Sequence, residues 1–321
     1  MNLQADIAIA KMNKLGGDGT PFLFVVDFEM DSPLVLKIDE LDSLGIKFKI
    51  DEKNTPLFKK QILFEKHPIS FQKYSDAFDY VVAQIGLGNS YLTNLTFPTE
   101  IETNLTLDEI YTHSRARYKL LFENRFVVFS PECFVKIEDG IISSYPMKGT
   151  IDDSIPSAEE IILNDEKEMA EHITIVDLIR NDLSIVARDV HVKKFRYVER
   201  LETNSKNLLQ VSSKIVGRLE QNYNERIGEI IFSMLPAGSI SGAPKKKTVE
   251  IIQQAEQIKR GYYTGVFGYF DGRNLDSAVM IRFIERTNNG LIYRSGGGIT
   301  FMSDVNSEYQ ELIDKVYVPF N

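Results

Sequence analysis

The order of apolar patterns constrains this fold more than any single motif: strand-like runs meet across tight turns, and long amphipathic stretches interrupt them. Residues 133–137 and 141–145 flank Asp139-Gly140, a favoured two-residue hairpin turn, and the segments 265–270, 277–284 and 291–295 are separated by turns at Asp271-Gly272 and 288–290. Further strand-like runs occupy 22–28, 46–50, 91–97, 126–129, 184–198 and 208–216. Helical spacing marks 76–86 through Phe78, Val81, Val82 and Ile85, and 165–183 through Met169, Val176 and Ile179, with acids at its start where the helix dipole favours them. It returns at 227–234, 248–258 and 306–316. Hairpins build antiparallel sheet, whereas a parallel sheet needs a crossover between every pair of strands. The pattern predicts an α+β fold, a single large domain of antiparallel sheets with flanking helices.

Composition supports one continuous fold. Of 321 residues, 43% are hydrophobic, enough for a large core, and no repeat or Pro/Ser-rich linker divides the chain. The net charge of −9 opposes binding to nucleic acid or to an anionic membrane surface. The longest uncharged stretch, 80–99, carries Gln84, Asn89, Ser90, Thr93, Asn94 and Pro98, which is too polar to span a bilayer, so no membrane association is expected. A single cysteine, Cys133, and a start without a signal-like apolar run point to the cytoplasm.

Three motifs have chemical readings beside plainer ones. Gly238-Ser-Ile-Ser-Gly-Ala-Pro-Lys245 precedes a helix, so it is either an anion-binding helix start or a Gly-rich turn ending in proline. It is not a nucleoside-triphosphate loop, because the spacing differs from GxxxxGK[ST]. Gly296-Gly297-Gly298 lets a ligand approach the backbone closely, although its pattern predicts a flexible loop between a strand and the last helix. Glu168 with Glu171 and Glu308 with Glu311 are i, i+3 carboxylate pairs, each on one helix face, and hard oxygen donors of this kind suit Mg²⁺. In a chain with 46 acidic residues such pairs also arise by chance. No histidine has a partner at metal-ligand spacing, and HExxH, CxxC and GxSxG are all absent from the sequence, which disfavours zinc and serine-hydrolase chemistry.

Ser130-Pro-Glu-Cys-Phe134, Tyr145-Pro-Met-Lys-Gly-Thr150, the run from Asp165 to Asp182, Gly238 to Lys245, Tyr263-Thr-Gly-Val-Phe-Gly-Tyr269, Ile281-Arg282, Gly296-Gly-Gly-Ile and Glu308-Tyr-Gln-Glu311 occur in one order. Together they resemble the chorismate-utilising enzymes, a family that includes anthranilate synthase component I, aminodeoxychorismate synthase component I and the isochorismate and salicylate synthases. The resemblance divides the chain into an N-terminal segment, 1–74, shorter than is typical and packed on the core, and a chorismate-binding catalytic region, 75–321. It implies that Glu168, Glu171, Glu308 and Glu311 hold Mg²⁺. Glu132 is then the general acid for the C4 hydroxyl, and Lys148 is the nucleophile that attacks C2 before ammonia adds at C4. Thr150, Ser241, Tyr263, Arg282, Gly296, Gly297 and Gly298 match positions that grip the substrate, and Lys245 matches a further block residue.

Within that family the chain is most similar to the aminodeoxychorismate synthase component I members, which carry lysine at the place of Lys148 where anthranilate synthases carry alanine. Leu92 stands where isochorismate-type members have a lysine base, so water addition is disfavoured. The resemblance thus implies amination of chorismate to 4-amino-4-deoxychorismate, toward 4-aminobenzoate and folate, with ammonia from a separate glutamine amidotransferase subunit. Anthranilate synthase component I and a non-catalytic chorismate-binding module of the same fold are the competing expectations. Three departures stand out: Gln210 replaces a family histidine, Cys133 replaces an arginine, and no Leu-Leu-Glu-Ser block of the kind that helps bind tryptophan is present.

Overall fold

The computed structural model describes residues 2–51, 55–201 and 207–320. Its strands form two antiparallel sheets. The first runs in the order Met147–Asp152, Leu208–Arg218, Ile141–Ser144, Cys133–Glu138, Leu275–Val279, Val266–Phe270, Phe22–Val26, Leu34–Lys37, and Arg188–Leu201 also pairs with Leu208–Arg218. The second runs Gly242–Ala243, Leu92–Thr103, Gly290–Ile299, Phe283–Thr287, Phe126–Ser130, Tyr118–Phe122, Ile46–Ile50, and Phe64–His67 pairs with Leu92–Thr103. The first 74 residues therefore contribute strands to both sheets.

Period-2 alternation explains the layering. In Phe22–Val26, Phe22, Phe24 and Val26 pack against the helices Leu3–Gly17 and Ile227–Ser233, while Leu23 and Val25 pack with Phe126, Val128, Phe267 and Phe283 between the sheets. With both faces covered, all five residues are buried. Phe126–Ser130 behaves likewise, sending Val127 and Phe129 to a third cluster with Ile284, Tyr293 and Ile110. A fourth cluster joins the helices Phe71–Gly86, Lys245–Glu256 and Val305–Asp314 to Leu95 and Phe97 of the second sheet. The α+β expectation of antiparallel sheets with flanking helices holds.

Several elements differ from the sequence expectation, which has no helix at Leu107–His113 or Ala158–Asn164 and no strand at Tyr118–Phe122. The helix Leu3–Gly17 was not expected; it packs so closely on Ile227–Ser233 that a Cβ at Gly228 would lie 2.5 Å from the Ile9 carbonyl oxygen. The Gly296–Gly298 run is strand, not loop, in register with Leu92–Thr103 from Leu291 opposite Ile101 to Ile299 opposite Thr93. A Cβ at Gly296 would lie 2.2 Å from the Leu95 carbonyl oxygen, so glycine is required for this pairing.

One buried ion pair ties these layers where the cavity forms. Arg260 and Glu256 are 1% and 2% exposed. Arg260 Nη1 donates to the Ile240 carbonyl (2.9 Å) and Nη2 to the Asn94 carbonyl (2.7 Å), while Glu256 Oε1 accepts from the Thr96 N–H (2.9 Å). Removing one partner leaves a buried charge uncompensated, so Arg260→Met is expected to cost about 3–5 kcal/mol in urea unfolding. A loss below about 1 kcal/mol would show that the pair does not brace the fold.

Candidate active site

A cavity of about 380 Å³ opens between the second sheet, the Glu166–Ser184 helix and the loop 238–241. That volume suits a small organic ligand. Of the expected residues, Glu132, Lys148, Glu171, Ser241, Tyr263, Arg282 and Gly296 to Gly298 line it.

Glu132 follows the strand Phe126–Ser130 and is held by its backbone: its N–H donates to Ser130 Oγ (3.1 Å) and its carbonyl accepts from Val279 (3.1 Å). Its carboxyl accepts a hydrogen bond from Ser239 Oγ at 2.5 Å. Burial pushes this carboxyl above the ordinary carboxylate range, against the Ser239 hydrogen bond and the Lys315 charge. A carboxyl so disposed keeps its proton to higher pH, as a general acid must.

Lys148 stands in Met147–Asp152, with Nζ 2.6 Å from Glu171 Oε2. Burial favours loss of its proton, but Glu171, and then Glu168 and Glu311, outweigh burial and hold the ammonium above the ordinary amine value. Lys315, which caps the helix Val305–Asp314, is paired in the same way: its Nζ lies 2.6 Å from Glu311 and donates to the Gly296 carbonyl (2.8 Å).

The carboxylates of both helices therefore face one region. A Cβ at Gly149 would lie 3.2 Å from Glu168 Oε2, and one at Gly297 would lie 3.2 Å from Glu308 Oε2 and 3.6 Å from Glu311 Oε1. Two glycines thus leave room beside Glu168, Glu308 and Glu311, and with Glu171 these carboxylates supply the hard oxygens that a small divalent cation takes. The four are not gathered into a tight ligand set; among the described residues, three such ligands lie within 4.8 Å of one another at exposed Glu65, His67 and Glu102.

Arg282 adopts φ +53° and Thr264, a buried β-branched residue, φ +59°, a conformation costly for both that is held by surrounding structure. Arg282 Nη1 donates to the Lys315 carbonyl (2.9 Å) and its guanidinium lies 4.9 Å from the Tyr317 ring centroid. Burial pushes the Tyr263 phenol up to about 12, so it is a neutral donor at physiological pH. Ser241 Oγ already donates to the Ala237 carbonyl (2.8 Å).

Two expected substrate contacts lie outside the cavity lining. Thr150 is exposed and pairs with Gln210 across the sheet; a register shift between Met147 and Thr150, with Gly149 at φ +87°, breaks the alternation that would have put it on the face of Lys148. Lys245 is engaged by Asp182 (2.6 Å) and the Met234 carbonyl (2.7 Å). Of the four expected metal ligands only Glu171 lines the cavity; Glu168 lies beside Gly149, and Glu308 and Glu311 beside Gly297, without lining it. Sequence reasoning missed Lys315, Arg294, Asn94 and Ser239, all of which line it. Lys315 stands four residues after Glu311, a helical spacing that could have revealed it. Where the family histidine is absent, Ser213, three residues past Gln210, meets His172 Nε2 at 2.7 Å.

The sequence pattern of chorismate binding enzymes matches residues 32–320. An uncharacterized PabA-like protein of Haemophilus influenzae is 51% identical over 314 residues, covering 97% of this chain and 96% of its own length. The crystal structure of anthranilate synthase component I from Streptococcus pneumoniae is similar with a TM-score of 0.67 at 28% identity, over 81% of this chain and 60% of that one. The menaquinone-specific isochorismate synthase of Escherichia coli shares the fold, with a TM-score of 0.71 at 16% identity over 97% of this chain and 80% of that one. Among the described residues, no helix is long and apolar enough to cross a membrane.

Proposed function

This chain belongs to the chorismate binding enzyme family, and we propose that it is the chorismate-aminating component of an aminodeoxychorismate synthase, converting chorismate and ammonia to 4-amino-4-deoxychorismate. The observation that carries this reading is Lys148, an amine that lines the same cavity as Glu132. Leu92, which also lines the cavity, has no group able to activate water, which weighs against isochorismate formation.

In the proposed reaction Lys148, charged at rest, first passes a proton to Glu171, 2.6 Å away, and the neutral amine then forms a bond to C2 as both ring double bonds shift. The C4–oxygen bond breaks with a proton from Glu132, and the hydroxyl leaves as water. Ammonia then bonds to C4, its surplus proton passing to the departing Lys148 nitrogen as the double bonds shift back and the Lys148–C2 bond breaks. Arg282 and Lys315 supply positive charge for the substrate's carboxylates, and Tyr263 a neutral donor. Glu168, Glu171, Glu308 and Glu311 would hold Mg²⁺, which when bound supplies a hard positive centre for the ring carboxylate. Ammonia is proposed to come from a glutamine amidotransferase subunit, since the lone cysteine, Cys133, is buried, with its thiol pushed up to about 12 by burial, and is no nucleophile for glutamine.

The test is incubation of the purified chain with chorismate, Mg²⁺ and an ammonium salt, with products identified by mass spectrometry. Aminodeoxychorismate is expected; anthranilate would overturn the assignment. Excess chelator should abolish turnover, and Glu171→Gln or Glu311→Gln should raise the Mg²⁺ concentration needed for half-maximal rate, because each removes a charged oxygen donor. Full activity in chelator would reject the metal.

A further inference from the structure

The loop 238–241 is clamped at both ends. At one end the Gly238 N–H donates to Asp182 Oδ2 (3.1 Å), and Asp182 Oδ1 accepts from Lys245 Nζ (2.6 Å). At the other, the Ile240 carbonyl accepts from Arg260, itself held by Glu256. Between the clamps Ser239 Oγ–H donates to Glu132 Oε1 at 2.5 Å. Glu132 needs such a pin. It stands between the main cavity and a void of about 20 Å³ lined by Asp182, Cys133 and Tyr145, and the last torsion of a glutamate is broad and two-fold.

We propose that Ser239 is the positioning residue of Glu132: by donating to Oε1 it stops the carboxyl turning toward the void and leaves Oε2 to carry the acid proton. This rests on the reading of Glu132 as the general acid. It also gives Lys245 and Asp182 a role, as one of the two clamps that aim Ser239. While the hydroxyl donates to Oε1, the proton of the neutral acid is carried on Oε2. The charged groups lining the cavity with Glu132 are Lys148, Glu171, Arg282, Arg294 and Lys315, and Asp182 lines the void. These groups are unchanged by substitution at Ser239.

Threonine and valine have one shape and differ by the hydroxyl, so Ser239→Thr and Ser239→Val separate the hydrogen bond from packing. With chorismate and ammonium, Ser239→Val is expected to lower kcat roughly 10–100-fold with KM for chorismate nearly unchanged, and Ser239→Thr to restore most of it. A second measurement does not depend on turnover. The carboxyl ¹³C resonance of Glu132, identified by its loss in Glu132→Gln, is titrated in wild type and both variants. A donor to the charged form favours that form, so the midpoint should rise by about one pH unit in Ser239→Val and stay near wild type in Ser239→Thr. An unchanged midpoint in Ser239→Val overturns the proposal, whether or not kcat falls. Failure of the wild type to aminate chorismate would count against the proposed reaction, and the titration would still decide Ser239.

Discussion

Glu132→Gln is expected to lower chorismate amination by roughly 10²–10⁴-fold, because glutamine keeps the shape of the side chain but has no acid proton to give. The same substitution is expected to raise the melting temperature at pH 8. Burial lifts the Glu132 carboxyl above its ordinary value of 4.5, so the folded chain holds this proton to a higher pH than the unfolded chain does. The favourable contribution of the protonated group is complete below the unfolded value and is lost as pH rises through the folded one, leaving a buried carboxylate as a penalty above that window. Glutamine removes the penalty, and the gain should fade as pH drops below the ordinary value of 4.5, where the wild type becomes protonated in both states. Activity lost together with stability gained is the mark of a group kept for chemistry at a structural cost. A variant with both wild-type turnover and a wild-type melting curve at pH 8 would remove Glu132 from the acid role.

Some of this architecture was legible in few letters. Asp139-Gly140 predicted a hairpin, and both residues adopt positive φ, +49° and +78°, as the tightest hairpin turn demands. The helix expected over 165–183 is Glu166–Ser184, because a long apolar stripe with acids at its start is an unambiguous local signal. Elements decided by tertiary contact were not legible. Leu3–Gly17 buries Ala5, Ala8, Met12 and Leu15, a stripe too poor in large side chains to stand out before its partner helix is known. Glycine is depleted in strands, so Gly296–Gly298 read locally as loop, yet pairing with Leu92–Thr103 at a separation only glycine permits overrode that preference. The site divides in the same way. Residues within the recognisable blocks were named from sequence, but Ser239 and Glu132 lie 107 positions apart, and no local pattern relates them. Thr150 shows the converse: strand periodicity places it beside Lys148, and one irregularity at Gly149 turns it to solvent.

Incubation with chorismate and Mg²⁺ but no ammonia is expected to leave part of the enzyme carrying a covalent adduct on the peptide that contains Lys148, of mass equal to chorismate less one water. Lys148→Ala should abolish that adduct and depress amination by at least ~10³-fold, since ammonia must then displace the hydroxyl without a covalent step. The competing role for Lys148 is a fixed positive charge. Its Nζ lies 2.6 Å from Glu171 and is held charged by that glutamate despite burial, so an electrostatic part is physically reasonable. Lys148→Arg separates the two. A guanidinium keeps the charge and can pair with Glu171, but it does not lose its proton near neutral pH and so cannot attack C2. If charge were the whole contribution, Lys148→Arg would retain much of the rate. If the amine is the nucleophile, Lys148→Arg should be nearly as slow as Lys148→Ala while still binding chorismate within a few-fold of wild type by calorimetry. Near-wild-type amination by Lys148→Arg would overturn the covalent assignment, and with it the residue argument that separates this chain from the alanine-bearing anthranilate synthases.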